Sequence, residues 1–301
     1  RGSLRAAVWT PGKYLFIRTK ILRLQLPVTH GFFSLPQFFG IGGVAQVILG
    51  RGEFGEYLSI NLAFGIGVTM GIHAYQDYGA HMNASISFTH CVLGNLPWRK
   101  LPAYIIGQFL GSFLASFLVF CMYYDALCEY SEGHYIVTGP NGTAGIFATY
   151  PAPYMTLLGG FVNEFLATAV LMLCVLAIYD KKNNGALEGT QAVITGLLVL
   201  VIGMAMGINT GYAINPSRDL PPRIFTAIAG WGVEVFRAGD YWWWVPIVAP
   251  TLGSLAGALA YKLLIDFHNQ TPSDSTHVIY CSILNAKFTS SEWNRDERVD
   301  H

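Results

Sequence analysis

The sequence predicts an all-α membrane protein of six transmembrane helices plus two reentrant half-helices, arranged as an inverted repeat. Three observations predict it. Of 301 residues 52% are apolar and only 12% are charged, against roughly 25% charged in soluble domains. Mostly apolar segments recur at 27–49, 56–76, 101–123, 157–178, 190–208 and 243–266, each able to cross about 30 Å of hydrocarbon at about 1.5 Å per helical residue. Finally, two stretches rhyme: Gly79-Ala80-His81-Met82-Asn83-Ala84-Ser85 and Gly211-Tyr212-Ala213-Ile214-Asn215-Pro216-Ser217.

Residues 1–20 carry Arg1, Arg5, Lys13, Arg18 and Lys20 without a cleavable signal pattern, and read as a cytosolic N-terminal segment. The membrane domain follows over 21–268, with repeat 1 at about 21–125 and repeat 2 at about 157–268. The first span is the least regular: it holds Pro27, His30, Pro36 and Gln37, and prolines within a span need neighbours to satisfy the freed backbone carbonyls. From 269 to 301 the chain reads as a cytosolic tail, polar and mixed in charge, for which disorder is expected.

Charge sets the orientation. Arg18, Lys20 and Arg23 precede the first span, Arg99 and Lys100 follow the second, and Lys181 and Lys182 follow the fourth, while the loop from Asp125 to Tyr154 has no Lys or Arg. Both termini are therefore expected in the cytosol. Asn141, in an Asn-Gly-Thr sequon, is then a candidate glycosylation site on the outer face. The run Tyr241-Trp242-Trp243-Trp244 is expected to anchor the head of the last span in the interfacial belt.

The five cysteines and eight histidines have no metal-binding spacing, and there is no P-loop, dinucleotide fingerprint or nucleophile triad. No catalytic residue, metal or cofactor is expected, and the chain is not read as an enzyme; the small charged fraction gives no basis for a nucleic-acid partner. The rhyming stretches carry the functional signal instead. Each spaces a Gly four residues ahead of an Asn, which reads as a helix N-cap, with Ala84 or Pro216 at the first helical position. Three spans per half is an odd number, so the second half must be inverted. Inverted repeats place discontinuous helices, and the binding site, near the bilayer midplane.

These paired boxes, Met82-Asn83-Ala84-Ser85 and Ile214-Asn215-Pro216-Ser217, resemble the Asn-Pro-Ala boxes of the major intrinsic protein family. Four features resemble its aquaglyceroporin branch over roughly 38–268. Asp219 follows Asn215-Pro216-Ser217-Arg218; Thr138 to Pro153 resembles the long outer loop; Ala229-Gly230-Trp231-Gly232 is similar to a branch motif; and Gly203 stands where water-only members usually carry His. The resemblance implies an aquaporin-like tetramer in the plasma membrane that passes glycerol, water and other small neutral solutes such as urea. It implies an outer selectivity filter of Phe64, Gly203, Tyr212 and Arg218, box amides of Asn83 and Asn215 that donate to passing oxygens, and pore-lining carbonyls around Gly79, Ala80 and His81. Arg218 brings a planar fork of donors, while Phe64 and Tyr212 bring apolar walls for a CH backbone. Two half-helix N-termini add positive ends against protons and cations.

The chain also departs from the family. Members carry a Glu in the first span whose carboxylate accepts backbone donors of the reentrant loop; here no acidic residue lies between Arg23 and Arg51, although Glu164 takes the equivalent place in the second half. A lost acceptor leaves buried N–H groups unsatisfied at about 1–3 kcal/mol each. Tyr75-Gln76-Asp77-Tyr78 replaces a Gly-rich elbow, and Ser85 replaces Ala. Three readings follow: a passive glycerol and water channel that excludes ions and protons, a non-conducting homologue closed by the altered span and elbow, and a secondary transporter.

Overall fold

A computed structural model describes residues 34–75 and 80–269. The predicted N-terminal segment, residues 27–33 of the first span, Gln76 to Gly79 of the elbow and the tail from 270 lie outside the described residues.

The six predicted spans correspond to α1 (Leu35–Leu49), α2 (Tyr57–Tyr75), α4 (Leu101–Met122), α6 (Leu157–Tyr179), α7 (Gln191–Met206) and α10 (Val245–Tyr261). Between them lie the half-helices α3 (Ala84–Val92) and α8 (Pro216–Thr226), and two short outer helices, α5 (Tyr124–Ser131) and α9 (Glu234–Tyr241). Among the described residues, four helical stretches can cross a membrane by length and composition: Tyr57–Tyr75, Trp98–Met122, Leu157–Tyr179 and Glu234–Asp266; Leu35–Leu49 and Gln191–Met206 are apolar but shorter.

Packing repeats between the halves. In the first, α1 packs against α2 and α4; in the second, α6 packs against α7 and α10. The half-helices cross over, α3 seating on α10 and α8 on α4, while α2 and α7 pair across the centre. This exchange is what an inverted repeat requires: each half supplies the plug that completes the other. The α6–α10 contact is close because Gly253 and Gly257 have no Cβ; one at either position would overlap the carbonyl of Phe165 or Ala169.

Matching outward stripes also appear. Leu58, Leu62, Ile66 and Met70 on α2 are exposed at helical spacing, as are Leu158, Val162, Leu166 and Val170 on α6. Such four-residue rows follow one side of a helix, the side left for lipid or another membrane-embedded surface.

One expectation is corrected. Trp242 is not an interfacial anchor: its side chain is fully buried, and its indole N–H donates to Thr149 Oγ1 at 3.3 Å. Its neighbours Val245 and Ala249 are fully buried with it.

Candidate functional site: a pore where two half-helices meet

The residue ahead of each box asparagine adopts a left-handed backbone, with φ of 46° at Met82 and 43° at Ile214. Non-glycine residues rarely do so. The paired turns face the two loops toward each other: the Asn83 amide donates to the Ile214 carbonyl and the Asn215 amide to the Met82 carbonyl, both at 2.8 Å. Each asparagine also caps its own half-helix. Asn83 Oδ1 accepts from the Ser85 and Ile86 N–H groups at 2.9 and 3.4 Å, and Asn215 Oδ1 from Ser217 at 2.9 Å and, across the junction, from Ala84 at 3.4 Å. A carboxamide has two N–H donors. One on each asparagine is held by the opposite loop, which fixes the direction of the other. Pro216 takes the first helical position, where a missing N–H leaves nothing unsatisfied.

Both asparagines line one cavity of about 340 Å³. Phe64, Val68 and Ile72 of α2, Leu171 and Val175 of α6 and Val199 of α7 form its apolar wall, and Ala80, His81, Gln37 and Arg218 also border it. Of the residues predicted to offer pore-lining carbonyls from the first loop, Ala80 and His81 therefore border the cavity; Gly79 is outside the described residues.

Of the four residues predicted from sequence as a filter, Phe64, Tyr212 and Arg218 border the cavity and lie together, and Gly203 packs against Tyr212. Phe64 and Tyr212 meet edge to face at 5.9 Å between ring centroids, and the Arg218 guanidinium lies 5.0 Å from the Phe64 ring centroid. Arg218 Nη1 donates to the Phe147 carbonyl at 2.9 Å. Gly203 stands behind them: a Cβ there would overlap Asn61 Oδ1 and lie 2.7 Å from Tyr212 Cζ. No larger residue enters that position without displacing the filter wall.

Two buried polar clusters hold this corner. The Glu164 carboxylate is fully buried and accepts from the Thr210 hydroxyl at 2.6 Å and the Ala213 and Ile214 N–H groups at 2.9 and 2.7 Å. It thereby fixes the turn that leads into the second box. Asp219 does not border the cavity. It forms a fully buried ion pair with Arg223 at 2.8 Å and accepts from the Thr149 N–H and hydroxyl at 2.7 and 2.5 Å. Arg223 in turn donates to the carbonyls of Val235 and Thr149. The pair clamps the outer loop to α8, and that loop supplies the Phe147 carbonyl that receives Arg218.

The first half is supported differently. Gln108 of α4 links the two half-helices, donating to Ser87 Oγ at 3.0 Å and accepting from Ser217 Oγ at 2.8 Å. Ser87 donates to the Asn83 carbonyl at 3.0 Å. On the other side Thr89 and Ser254 hydroxyls lie 2.7 Å apart, and Ser85 and Thr251 hydroxyls 3.3 Å apart. Ser85 thus contacts the opposite repeat.

Sequence reasoning missed Arg223, Gln108 and Gln37. Arg223 stands four residues after Asp219, a spacing that pairs charges on a helix, so its signal was present. For Gln108 and Gln37 no local signal exists, since Gln108 joins Ser87, 21 residues away, to Ser217, 109 away, and the partner of Gln37 is 181 residues away. Asn141 is exposed on the outer loop, while the Thr143 of its sequon is buried and its hydroxyl accepts from the Trp231 indole at 3.0 Å.

Comparison with known proteins agrees with this arrangement. The chain is 51% identical to mouse aquaporin-7 over 257 residues, 85% of this chain and 84% of that protein. It is 46% identical to human aquaporin-9 over 259 residues, 86% and 88% of the two. Among solved structures, the aquaglyceroporin from Plasmodium falciparum superimposes with a TM-score of 0.70 at 28% identity, covering 81% of this chain and 96% of that one. The family model described as Major intrinsic protein matches residues 34–261, and the chain belongs to that family.

Proposed function

We propose that this chain is a passive channel for glycerol and water across a membrane, with Phe64, Gly203, Tyr212 and Arg218 as its outer filter. The observation that carries this reading is the corner bordering the cavity. There a fork of N–H donors stands 5.0 Å from one aromatic ring centroid, beside a second ring that packs against Gly203, where any side chain would displace that ring or Asn61. Glycerol has a hydroxyl edge and a CH edge, so it meets donors on one side and rings on the other. Urea is small, neutral and rich in hydrogen-bonding groups, and the same corner suits it.

At the midplane the free N–H of each box asparagine donates to a passing oxygen, while Ala80 and His81 offer carbonyls to the solute's own donors. A single oxygen held by two donors cannot accept from the next water in the file, which interrupts a proton wire. The N-terminal ends of α3 and α8 and the Arg218 charge add a positive barrier to cations. The close relationship to aquaporin-7 and aquaporin-9 supports the solute class. Within this reading the protein sits in the plasma membrane as a homotetramer, with both termini in the cytosol and Asn141 outside.

Stopped-flow light scattering on proteoliposomes tests the proposal. Sucrose and glycerol gradients should both relax faster than in empty vesicles, without saturation at low glycerol and without need of a sodium or proton gradient. Saturation with ion dependence would mean a transporter. Absence of both fluxes from folded protein would mean a closed homologue, and recovery on restoring a Gly-rich elbow at 75–78 would locate the block.

A further inference from the structure

Gln37 has no place in the filter or the boxes, yet it borders the cavity and is only 3% exposed. It lies in the first turn of α1, beside Pro36, whose ring faces Gly71 and Met82. That puts it at the level where the first loop turns into its box. Its Nε2 donates to the Arg218 backbone carbonyl at 2.9 Å, a contact spanning 181 residues of sequence. With the nitrogen end held there, the carboxamide cannot swing. Its other end is an oxygen, in a cavity wall that also carries Phe64, Val68 and Ile214. A buried amide among apolar side chains is costly unless its groups are paired.

We infer that Gln37 is a further specificity-determining residue of the pore: anchored on the Arg218 carbonyl, it offers its Oε1 as an acceptor to solute hydroxyls passing between the filter and the box asparagines. The filter presents donors from Arg218 and the boxes present donors from Asn83 and Asn215. An acceptor between them serves a solute that donates several hydrogen bonds at once, and serves glycerol more than water because glycerol must shed more of its hydration in a narrow passage. The inference rests on the glycerol-channel reading.

The test is Gln37→Met, of nearly equal length with no acceptor of comparable strength, alongside Gln37→Asn, which keeps the amide but shortens its reach. Both are reconstituted as full-length protein and assayed for glycerol and water flux, with thermal midpoint recorded. The expected result is a glycerol permeability lowered about five-fold in either variant, the worth of roughly one net hydrogen bond, with water lowered by a smaller factor so that the glycerol-to-water ratio falls. Equal loss of both fluxes, or a lowered midpoint with an unchanged ratio, would make Gln37 a structural tie only and overturn the inference. Failure of the channel reading shows instead in the unmodified protein, as absent glycerol flux.

Discussion

The two boxes at the centre of the pore share a backbone shape but not a means of support. In both, an asparagine caps a half-helix after a left-handed residue and donates to the opposite loop at 2.8 Å. Behind the second box stand two buried carboxylates: Glu164 on the turn before it, and Asp219, paired with Arg223, on the helix after it. Behind the first, among the described residues, stand uncharged groups, Ser87, Thr89, Gln108 and Ser254, together with the second box itself. A carboxylate that accepts several backbone N–H groups fixes a loop strongly, whereas hydroxyl contacts yield more readily. Among the described residues, the second box is thus the one held by buried carboxylates.

The largest loss should come from Glu164→Ala. Three buried donors lose their acceptor, at about 1–3 kcal/mol each, and the protein should fail to survive extraction in mild detergent or show a sharply lowered thermal midpoint. A midpoint within a few degrees of the parent would mean the second box does not depend on its carboxylate.

Asp219→Asn comes next. It leaves the Arg223 charge buried with a neutral partner, and breaking a buried pair costs about 3–5 kcal/mol. Because the pair clamps the loop that receives Arg218, limited proteolysis should cut between Thr138 and Pro153 in the variant and spare the parent. Equal resistance would separate the ion pair from the loop.

Gln108→Leu sharpens the comparison from the other side. It removes the link between Ser87 and Ser217 and should cost about 1–3 kcal/mol, lowering the thermal midpoint less than either carboxylate change. A loss as large as that of Glu164→Ala would mean both boxes rest equally on α4.

The smallest effect lies just past the end of α6, where the Tyr261 hydroxyl donates to Asp180 at 2.7 Å. That hydrogen bond, helped by the Lys182 and Asn183 N–H groups and opposed by partial desolvation, holds the Asp180 carboxyl below its usual range. A depressed folded value contributes stability above the ordinary carboxylate range, and that contribution is lost as pH falls through the folded value. Asp180→Asn should therefore lower stability slightly at neutral pH, leave it nearly unchanged at pH values below the folded value, and so flatten the acid side of the stability profile. An unchanged acid slope would show that the tie carries no stability.

The spans, the inversion and the box asparagines were legible in the sequence because their signals are local: apolar runs, an odd number of spans per half, an N-cap beside Ala or Pro. The filter residues could be identified through family resemblance, and their meeting in space depends on the fold. Trp242 was misjudged because an aromatic run at the head of a span has the same composition whether its rings face the headgroups or, as here, the interior. Asp219 stood out by its neighbours in sequence, but its role as a clamp needed Thr149, 70 residues away. Gln37 looked only like a polar interruption of a weak span; its partner is the Arg218 backbone, which no periodicity points to.

The central claim is that the corner of Phe64, Tyr212 and Arg218, with Tyr212 packed back against a Gly203 that has no side chain, passes a polyol. Glycerol and water permeability of proteoliposomes bearing the parent chain and Gly203→His, reconstituted at matched density, tests it most directly. The account predicts rapid glycerol flux in the parent that falls to the level of empty vesicles in the variant, with part of the water flux retained. Glycerol flux that persists in a folded Gly203→His protein would contradict the account and place the selective constriction elsewhere in the pore.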